Sequence, residues 1–175
     1  MRSYESDLRN MEKLKSNISL NEVSNIETHA TAVAAINGKV KFVIEGNHGT
    51  NHISTNSDEI SIEVPCRTLE SIIAMDVGSD FSRLVIKIDV EGFEGDILNS
   101  SLTVLKRLHP DLLFEVSGIK SLGNRTNTTS AISELISHYD HAVLFDGRKL
   151  RFDEDAIHAV QDLGSRTAWI AFFNK

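Results

Sequence analysis

The sequence predicts an α/β protein built on an open, mostly parallel sheet with an antiparallel edge strand. Three observations point there. Strand-like and helix-like segments alternate along the chain, which is the pattern of α/β folds. Two aliphatic runs end on acids: Leu84-Val85-Ile86-Lys87-Ile88-Asp89-Val90 and Pro110-Asp111-Leu112-Leu113-Phe114-Glu115-Val116. Such near-continuous apolar runs are typical of buried parallel strands. Late in the chain a strand at 142–145, the turn pair Asp146-Gly147 and a short return at 149–152 form a hairpin, which supplies the antiparallel edge.

The elements follow in order. Residues 1–5 read as the end of a strand. Asp7 caps a helix to about Asn21, with Leu8, Met11, Leu14, Lys15 and Ile18 near one face. Asn21 and Asn25 end it, and a strand runs over 26–34. Asn37-Gly38 predicts a hairpin into a second strand at 39–44. Residues 45–57 form a loop rich in Gly, Asn, His, Ser and Thr. The clean alternation over 60–64 predicts a strand with one wet face, ended by Pro65. Thr68 caps a short helix over 69–75, and 77–82 connect to the central strand, 84–90. A helix over 94–108 turns Ile97, Leu98, Leu102, Leu105 and Leu108 inward. The strand over 112–116 should lie parallel to the central one, because a helical crossover joins them. A loop at 118–128, a helix over 130–138, the hairpin, an ambiguous stretch at 155–163 and a strand at 167–173 with Trp169 complete the chain.

Composition sets bounds on function. At 175 residues, 41% hydrophobic and 25% charged, the chain suits a single domain with a real core. A net charge of −7, with no Lys/Arg cluster, argues against nucleic acid and anionic membranes as partners. The N-terminus lacks the apolar core of a signal peptide, and no apolar run approaches the roughly 20 residues of a membrane span. One cysteine, Cys66, suits a reducing compartment and reads as a small buried residue. The expectation is a cytoplasmic protein.

The residues that carry chemistry are the acids at strand ends. Open α/β sheets bind ligands beyond the carboxyl ends of their strands, and Asp89, Glu91 and Glu115 stand there. Asp89 and Glu91 face one side if the chain stays extended. A helix cap by Asp89, or first-turn dipole stabilisation by Glu91 and Glu94, is the structural alternative. Three carboxylates at one edge could instead hold Mg²⁺. His48 and His52 have zinc-like spacing, but the Gly and Asn residues around them disfavour a helix and they read as exposed loop residues. Trp169 reads as a core anchor.

Taken together, Asp89-Val90-Glu91-Gly92-Phe93-Glu94, the following Ile97-Leu98 and the later Leu113-Phe114-Glu115 resemble the FkbM family of S-adenosylmethionine-dependent methyltransferases. Tyr4-Glu5-Ser6-Asp7 resembles that family's acidic strand end. Residues 14–21 resemble its next helix and Asn-rich exit, and Ala32-Val33-Ala34 with 38–42 resemble its third strand and hairpin. The resemblance implies a Rossmann-like class I methyltransferase sheet and O-methylation of a small-molecule or glycan hydroxyl. It implies Asp89, Glu91 and Glu115 as catalytic residues and Glu5, Ala32 and Asp89 as contacts of S-adenosylmethionine. Asp89 would orient the acceptor hydroxyl or act as its base, and Glu5 would accept hydrogen bonds from ribose hydroxyls. The family's Gly-rich cofactor loop has no counterpart here, since no Gly precedes Gly38. The expectation is therefore a partial, N-terminally truncated domain spanning 1–175, with either a slot beside the central strand where the family's first strand lies or that place filled by residues 1–5 or another chain, and with weak or no cofactor binding. A non-catalytic remnant or partner-binding domain is the alternative, and a Mg-dependent hydrolase a weaker one.

Overall fold

The computed structural model describes residues 1–43, 52–53, 61–75, 83–117, 127–147, 150–163 and 167–174. The chain divides into two units, 1–72 and 73–175. Most of the predicted loop at 45–57, the connector at 77–82 and the loop at 118–126 lie outside the described residues.

In the first unit, β1 (Arg2–Tyr4) and β2 (Glu27–His29) form a parallel pair joined through α1 (Leu8–Leu20). Asp7 caps α1 as expected. Its buried carboxylate accepts from the Arg9 N–H at 2.8 Å and pairs with the Arg9 guanidinium. Met11 is the buried residue of the helix, whereas Leu8 is 64% exposed, so the predicted apolar face is narrower than the spacing suggests. Tyr4 stacks on His29 with ring centroids 4.7 Å apart. The strand expected over 26–34 is broken after His29, where the Thr31 N–H donates to the His29 carbonyl. Its second half is β3 (Ala32–Val33), which belongs to another sheet.

That sheet runs in the order β3, β6 (Ser61–Arg67), β4 (Gly38–Val43), β5 (His52–Ile53). Two expectations change here. Asn37-Gly38 does not close a hairpin, because β6 lies between β3 and β4 and pairs with both: Cys66 is opposite Ala32 on one side and Gly38 on the other. The Asn37 side chain serves α2 (Leu69–Ala74) instead, accepting from the Thr68 N–H at 3.0 Å and the Ser71 hydroxyl at 2.8 Å. Nor does Pro65 end its strand. β3 pairs with β6 only at Cys66 and Arg67, so the missing Pro65 N–H falls before the second ladder begins. Thr68 caps α2 as predicted, its hydroxyl accepting from the Ser71 N–H. Ala32, Ala34, Phe42, Val64 and Cys66 form the core. Burial pushes the Cys66 thiol up, and it donates to the Ile36 carbonyl, so it is inert as read from the sequence.

The second unit holds a five-stranded sheet in the order β10 (Leu150–Phe152), β9 (His141–Phe145), β11 (Thr167–Phe173), β8 (Asp111–Ser117), β7 (Val85–Ile88). β7 and β8 are adjacent and parallel, as predicted, with Ile88 opposite Phe114. β10 is the expected antiparallel edge. The sheet is nevertheless mixed rather than mostly parallel, because β11 inserts antiparallel between β8 and β9. β7, β8 and β9 still point the same way, which keeps the acid-bearing ends of β7 and β8 on one sheet edge. Among the described residues β7 pairs with β8 alone, leaving its other edge without a strand.

Alternation decides what this sheet buries. Ile88, Leu112, Phe114, Val116, Ile170, Phe172 and Leu144 are buried on one face, and the Phe114 and Phe172 rings stack at 6.0 Å. The unit's helices are equally buried at Ile97, Leu98, Leu105, Ile132 and Leu135. On the opposite face Val85, Phe145 and Phe152 are exposed. The apolar run of β7 therefore does not signal burial on both faces. The predicted 94–108 helix is two, α3 (Glu94–Ser100) and α4 (Leu102–Leu108), divided at the buried Ser101. His109, in the left-handed region at φ 46°, stops α4. α5 (Asn127–Leu135) continues as a short 3₁₀ turn to His138, and the ambiguous stretch is α6 (Asp153–Gln161).

Candidate active site

Asp89 follows β7 directly, and the chain reverses there. Glu91 adopts φ 53° and Gly92 φ 93°, two consecutive residues in the left-handed region. Only glycine takes that region without strain, so Gly92 suits the turn and Glu91 is held in it. The holding group is Glu94, the first residue of α3. Its carboxylate is buried, only 3% exposed. Oε1 accepts from the N–H of Val90 at 3.0 Å and the N–H of Gly92 at 3.1 Å. A carboxylate in the first helical turn is stabilised by the helix dipole, and hydrogen bonds to an ionised acceptor are the strong kind. Asp89 itself does not cap α3, whose N-cap position is Phe93, without a side-chain capping hydrogen bond.

Across the β7–β8 ladder, Glu115 lies one residue beyond Phe114, the partner of Ile88, and so next to Asp89. Burial pushes the Glu115 carboxyl up, and the charges of Glu94, Glu91 and Asp89 push it further, against the pull of Lys87. The structure thus brings together the three predicted catalytic acids, Asp89, Glu91 and Glu115, within electrostatic reach. It adds Glu94, which the sequence assigned to the helix alone. Lys87, two residues before Asp89 and on the same face, donates to Asp89 Oδ2 at 2.8 Å. Its ammonium also lies 4.7 Å from the centre of the Trp169 ring. Trp169 sits on this half-exposed face opposite Glu115 and Phe145, so it is not the core anchor expected. The Lys87–Asp89 alignment was readable from strand periodicity. Trp169 was not, because nothing local encodes the β11 insertion.

The two remaining predicted residues belong to the first unit. Glu5 directly follows β1 of the parallel pair and is half-buried, with Oε1 accepting from the Asp7 N–H at 2.7 Å. That strand-end position, with its second carboxylate oxygen, suits a ribose hydroxyl. Ala32 is 5% exposed within the apolar cluster, so only its backbone could meet a ligand. Among the described residues no three His, Cys, Asp or Glu side chains are placed to hold a metal ion, and the Mg-dependent reading lacks a ligand set there. His48 lies outside the described residues. Among the described residues no helix is long and apolar enough to cross a membrane.

Residues 2–146 match the model of the methyltransferase FkbM domain. The chain belongs to the FkbM methyltransferase family. Among solved structures it is similar to methyltransferase FkbM from Methylobacillus flagellatus KT, with a TM-score of 0.53 and 14% identity over 98% of this chain. The chain spans 36% of the length of that protein. No curated protein matches the sequence. At this identity the structural likeness speaks for the fold alone.

Proposed function

We propose that the chain serves S-adenosylmethionine-dependent O-methylation of a small-molecule or glycan hydroxyl. The observation that carries this reading is Asp89. It is a carboxylate at the end of a strand, fixed through one oxygen, in a chain that belongs to the FkbM methyltransferase family. When bound, S-adenosylmethionine supplies an electrophilic methyl carbon on its sulfonium. Glu5 would accept from ribose hydroxyls with its second carboxylate oxygen. Asp89 would align the acceptor hydroxyl and take up its proton. Glu115, beside Asp89 across the β7–β8 ladder, would be the group to share that proton. The negative charge gathered here favours an uncharged acceptor over a phosphate or carboxylate.

The test is transfer of labelled methyl from S-adenosylmethionine to a panel of methyl glycosides and simple alcohols, with S-adenosylhomocysteine binding followed by calorimetry. Asp89→Asn should cut turnover about 10²–10⁴-fold, the usual loss for a positioned base, and much more than it weakens S-adenosylhomocysteine binding. Undiminished turnover removes Asp89 from the chemistry.

A further inference from the structure

Lys87 is an exposed side chain in an improbable place. It stands on β7, opposite Leu113 of β8, while Trp169 stands on β11, the strand beyond. Two strand spacings separate β7 from β11, about 10 Å. The ammonium nevertheless lies 4.7 Å from the indole centre, so the lysine stem runs across β8, over the face that carries Leu113 and Glu115. An exposed lysine ordinarily keeps its four methylenes free and its charge in water. Here two contacts at once draw it into one direction: the face of the Trp169 ring, whose quadrupole attracts a cation, and Asp89 Oδ2 at 2.8 Å.

The consequence falls on Asp89. Its side chain is 43% exposed, and a carboxylate so placed would rotate freely without a partner. With Oδ2 engaged, its orientation is set, and no hydrogen bond among the described residues falls on Oδ1. We propose that Lys87, seated on Trp169, is a positioning residue that aims Oδ1 of Asp89 at the acceptor hydroxyl. The proposal rests on the methyl-transfer reading above. It gives Trp169 a task as well: the indole is the platform that keeps the ammonium on the Oδ2 side, so the pair acts as one device across three strands.

The device can be tested apart from the reaction, because Trp169 is the chain's single tryptophan. Acrylamide quenching of its fluorescence reports whether an ammonium covers the ring. Lys87→Met should change the quenching constant. Asp89→Asn, which loosens the tether, should change it in the same direction, and the double variant should show no further change. Lys87→Arg should stay near wild type, since a guanidinium stacks on the same face. In the labelled-methyl assay with methyl glycosides, Lys87→Met should lower kcat about 10–100-fold, as expected when a catalytic group is misaimed rather than missing. The KM for S-adenosylmethionine should hold, and Lys87→Arg should recover most of the loss. Quenching that ignores both substitutions overturns the proposal alone, as does a kcat unchanged in Lys87→Met. A wild-type protein that transfers methyl to no acceptor while the quenching results hold overturns the methyl-transfer reading, and the positioning role with it.

Discussion

Glu94→Ala is the substitution that probes the site's construction most directly. The carboxylate removed is 3% exposed and holds the N–H groups of Val90 and Gly92 at 3.0 and 3.1 Å. Hydrogen bonds to a charged partner contribute about 1.5–3 kcal/mol each, so two contribute about 3–6 kcal/mol. Part of that is offset, because the buried charge is costly to desolvate and repels Glu115. A net loss of about 3 kcal/mol follows, and for a chain of this size it lowers the unfolding midpoint by roughly 6–12 °C. Glu94→Gln keeps an acceptor oxygen in the same place and gives up only the charge, so its loss should be about 1 kcal/mol. Thermal unfolding followed by near-ultraviolet circular dichroism measures both. Carbon NMR titration of Glu115 adds a second reading: the Gln variant should bring that carboxyl back toward its ordinary value, because Glu94 is the strongest of the three charges raising it. Equal damage from Ala and Gln, with an unmoved Glu115 titration, would refute the assignment of Glu94 as an ionised staple for this loop.

Two further outcomes follow from the same loop. The Glu115 pKa is raised in the folded chain, so the folded state binds that proton more tightly than the unfolded one. Its contribution to stability is present at low pH and is lost as pH rises from the ordinary carboxylate value through the raised one. Glu115→Gln should therefore flatten the fall of stability across that window and leave the variant more stable than wild type above it, as urea titrations at stepped pH would register. A wild-type curve matching the variant's would count against the buried, like-charged setting. Gly92→Ala places a side chain at φ 93°, where an L residue is strained by roughly 1–2 kcal/mol. Its unfolding midpoint should drop by a few degrees, and an unchanged midpoint would mean the reversal after Asp89 does not need that conformation.

How much of this was legible in the sequence depends on the range of the signal. Asp7 and Thr68 cap their helices because a short polar side chain reaches N–H groups within three residues, and such chemistry is written locally. The β7–β8 pair was equally readable, since a helical crossover leaves little choice. The hairpin at Asn37-Gly38 misled for the complementary reason. The dipeptide encodes a change of direction, but which strand then pairs with β4 is settled by β6, more than twenty residues later. Trp169 misled in the same way. Its apolar character says that it will pack, whereas the insertion of β11 between β8 and β9 puts it on the half-exposed face beside Glu115.

The acidic motif shows why spacing alone underdetermines a role. Read as a list, Asp89, Glu91 and Glu94 are three carboxylates awaiting similar tasks. The backbone separates them. The chain must leave β7 and enter α3 within five residues, and the positive φ values of Glu91 and Gly92 accomplish that reversal. The reversal turns the N–H groups of Val90 and Gly92 toward the helix start, where only an acceptor in its first turn can reach them. Glu94 is that residue. Asp89, before the reversal, keeps the direction of the strand and meets Lys87 on the open face. One turn thus gives these carboxylates different settings: that of Glu94 is buried on two N–H groups, while that of Asp89 stays half-exposed beside Lys87 at the end of the strand.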